Sequence, residues 1–245
     1  MRYVRLIQYN GWVEFKRDVF AELFETGRFR SGRYLFRGCG DANWTLSSSF
    51  DRRFASVPLD RRLKLWDELV QEWRHGCEQM GIPASVINED RKLWALGQHN
   101  GLPTRLLDWT TSPYVAAFFA FHDHVMAPAG RFDHVAVWAL HAENLVWARE
   151  RGVEIVSAPL LDNVRLRNQG GKFTLSRAPF TTLEDYVERF ATEVALTKCV
   201  LPAADAEQAL SDLDAMGINS YDLFPDLSGL AALATMRATL LATAM

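Results

Sequence analysis

The chain has 245 residues, 49% hydrophobic and 23% charged, with a formal net charge of −3. This is an ordinary globular composition, long enough for one large domain or two small ones, and the lack of a linker-like tract favours one. No apolar run approaches the roughly 18 residues of a membrane-spanning helix, residues 1–10 lack the apolar centre of a signal peptide, and Cys39, Cys77 and Cys199 show no Cys-x-x-Cys, which disfavours a disulfide framework or a structural zinc site and fits a reducing, cytoplasmic setting.

Asn10 is placed to cap a helix that carries Trp12, Phe15, Val19, Phe20, Leu23 and Phe24 on one face, with Gly27 ending it. Arg33 to Gly38 reads as a short strand, and Cys39-Gly40-Asp41-Ala42-Asn43 as the turn after it. Residues 59–76 repeat Leu63, Leu65, Trp66, Leu69, Val70 and Trp73 at helical spacing. A second helix over about 84–96 carries Leu93, Trp94 and Leu96 and is expected to stop at Gly97.

Pro103 to Asp108 is expected to be extended, because the residue before a proline avoids the helical region. Ser112-Pro113 starts a helix, with Ser as the cap and Pro in the first turn. Its body, Tyr114 to Phe121, is apolar all round and therefore buried on most sides. Strands are expected at Val135 to Leu140, Val153 to Val156, Lys172 to Leu175 and Val194 to Leu201, the last ending at Pro202. Helices are expected at Leu183 to Phe190, at Ala203 to Met216 with Gly217 closing it, and from about Leu227 onward. Helices between well-separated strands make the class α+β or mixed α/β.

The polar chemistry concentrates in Gln98 to Pro113, a stretch holding His99, Thr104, Arg105, Asp108, Thr110, Thr111 and Ser112. Loops on rigid elements are where binding and catalysis gather. The alternative is a buried polar network that fixes a long connection. His99 follows a helix end and suits a proton carrier or hydrogen-bond donor. Arg105 and Asp108 are three apart, so in an extended segment they face opposite sides and serve different partners. The hydroxyls of Thr110 to Ser112, with free amides at a helix start, suit an anion.

Arg37-Gly38, at a strand end, offers a guanidinium suited to phosphate and a glycine that admits a ligand close to the backbone. The competing reading is an internal salt bridge from Arg37 to Asp41 or Asp108. Gln169, before Gly170-Gly171, can hold a ribose or amide through paired donor and acceptor, or be an ordinary loop residue. His122-x-His124 and His75-x-Cys77 lack partners at metal-binding spacing, so no metal is expected. Residues 1–55 carry a balance of +4 and residues 200–245 one of −5. A basic first part attracts anions, but the charge is too mild for dedicated duplex binding. A nucleic-acid-processing enzyme would need a basic groove.

Three segments resemble the FRG-domain family: Phe36-Arg37-Gly38 with Gly40-Asp41-x-x-Trp44-x-Leu46, Gln98-His99-x-Gly101-x-Pro103 through Thr110, and Gln169-Gly170-Gly171-x-Phe173-Thr174. A fourth, Gly217-Ile218-Asn219 with Leu223 to Leu227, matches the family's usual ending, so the resemblance spans about residues 10–235. It implies a single domain of FRG type over residues 1–245. A more distant resemblance is to the ADP-ribosyltransferase superfamily: Arg-Gly at the end of a first strand, Thr-x-Ser before an apolar helix, and an acid or amide near a later strand. It implies an α+β domain with a mixed, split β-sheet core flanked by helices.

The implied activity is NAD-dependent ADP-ribosyl transfer or NAD cleavage, in a toxin or phage-defence effector. NAD would be a substrate rather than a resident cofactor. The acceptor would be protein or nucleic acid, an antitoxin or regulatory partner is possible, and no membrane is involved. On this resemblance Arg37, with Gly38, holds the NAD phosphates. Ser112 or Thr110 supports the nicotinamide-ribose pocket, His99, Thr104 and Asp108 shape the ribose end, Gln169 orients the ribose or the acceptor, and Gln98 and Arg105 are further NAD-binding candidates. Gln169 stands where the superfamily has Glu. A Gln lacks the carboxylate charge that a ribosyl cation needs, so either an acid such as Asp108 supplies it or the chain is a non-enzymatic module that binds a nucleotide or ADP-ribose.

Overall fold

The computed structural model describes residues 1–24, 28–127, 132–157 and 170–244. Among the described residues, seven strands form two sheets. β1 (Val4–Gln8), β2 (Tyr34–Cys39), β4 (His134–His141) and β7 (Leu196–Pro202) lie in the order β1-β7-β4-β2. β3 (Leu106–Trp109), β5 (Val153–Ser157) and β6 (Lys172–Ser176) lie in the order β3-β6-β5. Among these strand pairs β1–β7 is parallel and the others are antiparallel. Among the described residues the sheets meet at a single bridge, where Phe36 and Thr110 exchange backbone N–H···O bonds of 2.7 and 2.8 Å. The core is therefore mixed α+β with a sheet split beside β2.

Three apolar clusters hold this arrangement, and β4 feeds two of them. The strand period of two sends Val135, Val137 and Ala139 to one face of the larger sheet and Ala136, Trp138 and Leu140 to the other. On the first face lie α1 (Trp12–Leu23) and α6 (Pro113–Met126). On the second lies α7 (Leu183–Phe190), through Leu183, Tyr186 and Val187. The smaller sheet packs Leu106, Phe173 and Leu175 against α2 (Ser49–Arg53), α3 (Leu59–Gln79) and α5 (Asp90–His99), with the short α4 (Ala84–Ile87) beside them. The chain closes with α8 (Ala206–Ala215), the short α9 (Ser220–Leu223) and α10 (Leu227–Ala244), where Gly217 takes a φ of 74° after α8. No described helix is long and apolar enough to cross a membrane.

The Ser112 cap forms as expected: its Oγ accepts the Val115 N–H at 3.3 Å, with Pro113 at the first helical position. Two local expectations change, and one strand is added. Asn10 does not cap α1. Gly11 is the cap residue, and the carboxylate of Asp205 from the far end of the chain accepts the Trp12 N–H at 2.7 Å. Asn10 instead donates its own N–H to Glu14. Gly97 does not end α5 but lies within it, where a side chain would meet Leu102 at 2.8 Å; the turn falls at Gly101, with a φ of 83°. Residues 4–8 form an edge strand that local periodicity does not mark, because its partner β7 is some 190 residues away in the chain. The expected stop at Gly27 lies outside the described residues.

Candidate functional site

The bridge between the sheets sets Arg37 of β2 opposite Asp108 of β3. Arg37 Nη1 donates to the Asp108 carbonyl oxygen at 2.8 Å and lies 3.7 Å from Asp108 Oδ2. Strand parity turns Leu107 and Trp109 into the core and leaves Asp108 facing out. Gln98, at the end of α5, donates from Nε2 to Asp108 Oδ1 at 2.6 Å and accepts from Thr104 Oγ1 at 2.5 Å. Thr104 is fully buried. Its N–H donates to Ser49 Oγ at 3.0 Å and its carbonyl accepts the Phe50 N–H, which fixes the loop against the start of α2. A chain of hydrogen bonds thus runs from a buried hydroxyl through an amide to the carboxylate.

The Arg37–Asp108 pair is a shared wall between two cavities. One, about 290 Å³, has aromatic walls from Phe36, Trp109, Phe119 and Phe224, with Thr110, Gly38 and Asp123 among its polar and backbone surfaces. The other, about 400 Å³, is lined by Ser49, Arg52, Arg53, Gln98 and Pro103.

The walls crowd the Asp108 carboxyl even though 63% of its side chain is open to water. That desolvation raises its pKa from the usual range, against the opposing pull of the Arg37 charge and the Gln98 amide. Burial, and then the positive charge of Arg37, lower the pKa of Arg52. Among the described residues no group of three or more His, Cys, Asp or Glu is placed to hold a metal ion.

Of the residues singled out in the sequence, Arg37, Gln98 and Asp108 meet directly, and Gly38 and Thr110 line the aromatic cavity. Thr104 stands behind Gln98. Gly38 also serves the packing, since a Cβ there would lie 2.0 Å from the Ala116 carbonyl oxygen and the missing side chain lets α6 rest on β2. Arg105 points away from the cleft and is 1% exposed. Its Nη2 donates to the carbonyls of Ala178 and Phe180 at 2.8 and 3.1 Å, and its Nε lies 3.5 Å from Asp51.

The Ser112 hydroxyl serves as the α6 cap, and Thr110 Oγ1 accepts the Ser112 N–H. His99 is exposed and lines neither cavity. Gln169 lies outside the described residues. Arg52 and Arg53 are additions. Ser48-Ser49-Phe50-Asp51-Arg52-Arg53 reads only as a capped turn, and no spacing ties it to the central stretch.

No curated protein and no solved structure matches the chain. The first two FRG-like segments fall within residues 32–127, and the last two fall beyond them. Residues 32–127, which carry Arg37, Arg52, Gln98 and Asp108, match the model of the FRG domain.

Proposed function

We propose that the cleft binds an NAD-type dinucleotide and that the protein transfers or hydrolyses off its ADP-ribosyl group. The observation that carries the reading is the position of the Arg37–Asp108 pair, between an aromatic cavity and an arginine-lined one. A flat nicotinamide or adenine ring is accommodated by the aromatic walls. Phosphate oxygens suit the Arg37 guanidinium, which has donors beyond the one given to the Asp108 carbonyl. Asp108, at the junction, puts a carboxylate where positive charge develops on the ribose carbon. In that step the bond between ribose and nicotinamide breaks, its electron pair leaves with nicotinamide, and water or an acceptor nucleophile bonds to the ribose carbon and releases a proton.

One observation favours a binding module that performs no chemistry. Asp108 Oδ1 already accepts the Gln98 amide at 2.6 Å, which holds part of the carboxylate's charge in place. Nicotinamide release from NAD separates the two readings, measured for the wild type, Arg37→Ala and Asp108→Asn. Turnover that falls at least about tenfold in both folded variants, a loss of some 1.4 kcal/mol in transition-state stabilisation, supports transfer. Turnover unchanged in both overturns the site. No turnover in any form, with ADP-ribose still raising the melting temperature, supports the module.

A further inference from the structure

The arginine-lined cavity contains more positive charge than one phosphate contact needs. Arg37, Arg52 and Arg53 reach it from two elements, with Asp108 as its one acid. Arg52 and Arg53 are adjacent at the end of α2. That helix is placed by buried contacts: Ser48 caps it, Asp51 pairs with Arg62 and Arg105 at 3.5 Å each, and Ser49 is tied to Thr104.

Arg52 keeps one Nη engaged with the Ser47 carbonyl. Arg53 makes no ion pair or hydrogen bond among the described residues. An unpaired guanidinium beside two others, at the mouth of a cavity, is an arrangement that an anion between them relieves. Burial first, and then the positive charge of Arg37 in the same cavity wall, lower the Arg52 pKa. Surface arginines are ordinarily paired or spread; here three converge on one cavity of about 400 Å³, ample for a diphosphate.

We infer that Arg52 and Arg53 form, with Arg37, a diphosphate subsite, and that they set the ligand class as nucleoside diphosphates and their esters rather than nucleosides. The inference rests on the nucleotide reading of the cleft and deepens it. A linear ligand would lay its ring against Phe119 and Trp109, cross Arg37, and place its phosphates between the two α2 arginines.

Calorimetric titration of the full chain with ADP, adenosine and inorganic pyrophosphate tests it, in the wild type, Arg53→Gln and Arg52→Gln. Arg53→Gln breaks no hydrogen bond or ion pair among the described residues, so it carries the test if Arg52→Gln, which loses the Ser47 bond, melts early. ADP and pyrophosphate are expected to bind the wild type. Each Gln variant is expected to weaken ADP about tenfold, the size of one charge-assisted hydrogen bond, and adenosine is expected to bind weakly and equally in all three.

Equal ADP affinity in wild type and both variants overturns the subsite, as does an absence of ADP binding. A single-stranded oligonucleotide that binds more tightly than ADP, with affinity falling steeply with salt, also overturns it in favour of a nucleic-acid groove. Failure of the transferase reading is distinguishable. ADP binding lost in the variants with no NAD turnover in any form keeps the subsite. NAD turnover with an unchanged KM in Arg52→Gln and Arg53→Gln removes the subsite and keeps the transferase.

Discussion

Gly38→Ala isolates the packing role of the glycine that follows Arg37. The added Cβ would lie 2.0 Å from the Ala116 carbonyl oxygen and 2.6 Å from the Ala120 amide nitrogen. An ordinary carbon–oxygen contact is about 3.3 Å or longer, so α6 has to retreat by more than ~1 Å. Both obstructing atoms are helix backbone, and no side-chain rotation relieves them. Ala116, Ala117 and Ala120 are fully buried, so a retreat also loosens the core around Phe36 and Phe121. Overpacking of this kind costs about 1–3 kcal/mol, and the upper end applies here.

In a domain of this length each kcal/mol moves the melting temperature by roughly 2–4 °C, so Gly38→Ala is expected to melt ~6–12 °C below the wild type. Gly76→Ala supplies the contrast. Gly76 lies inside α3 with nothing within 4 Å of its Cβ position, and the helix preference for Ala predicts a gain of up to about 1 kcal/mol. Urea unfolding of the three proteins, checked by calorimetry, measures both. A Gly38→Ala protein that melts within ~2 °C of the wild type refutes the close approach of α6 to β2.

Asp51→Ala is expected to cost about 3–5 kcal/mol, because it strands the buried guanidiniums of Arg62 and Arg105; a melting temperature equal to that of the wild type would count against this network. At Glu154 burial works to raise the pKa, but hydrogen bonds and charge from Arg177 and Arg91 outweigh it and hold the carboxyl below its usual range. Its stabilising contribution is therefore present above the ordinary Glu pKa and lost as pH falls through the depressed one. Glu154→Gln is expected to flatten that acid limb of stability against pH, and a limb of unchanged slope would refute the assignment. Burial pushes the thiols of Cys39, Cys77 and Cys199 up, the last to about 12. An aromatic disulfide reagent at pH 8 is expected to label none of them until denaturant is added, and prompt labelling of any one would contradict its burial.

Periodicity exposed most elements because they are long and amphipathic or apolar throughout. The strand at β4 and the capped apolar helix α6 needed nothing beyond local residues. β1 and the break between α4 and α5 were hidden for a different reason: distant pairing and a two-residue turn set them. In the cleft, Arg37 and Asp108 were legible because strand parity and residue chemistry single them out, and their mutual contact was one of the alternatives for Arg37. Arg52 and Arg53 were not, since a five-residue helix joins the site only through tertiary packing. Arg105 belongs to the same class of difficulty. Nothing local distinguishes a guanidinium that meets a ligand from one enclosed by Asp51 and two carbonyls.

The two explanations for the polar stretch from Gln98 to Ser112, ligand site or internal network, describe different residues of one device. Thr104 and Arg105 turn inward, and with Thr110, which also lines the aromatic cavity, and the Ser112 cap they tie β3 to α2, to the Ala178–Phe180 loop, to β2 and to the start of α6. Gln98 and Asp108 face the cleft. The need for the first set follows from the split sheet, because among the described residues two backbone hydrogen bonds at Phe36 and Thr110 are all the ladder that joins the halves. Arg37 is anchored to one half through α6, and Asp108 to the other through the buried Asp51–Arg105 contact. β2 and β3 also share one apolar cluster, through Leu35, Cys39, Leu107 and Trp109, so that cluster and the bridge together set the 3.7 Å separation of guanidinium and carboxylate. Damage where α6 meets β2, or where α2 meets the start of β3, strains that shared cluster from one side. Gly38→Ala should therefore displace Arg37 while Asp108 keeps its Gln98 bond, and Asp51→Asn should shift α2 with its two arginines while Arg37 stays seated against α6.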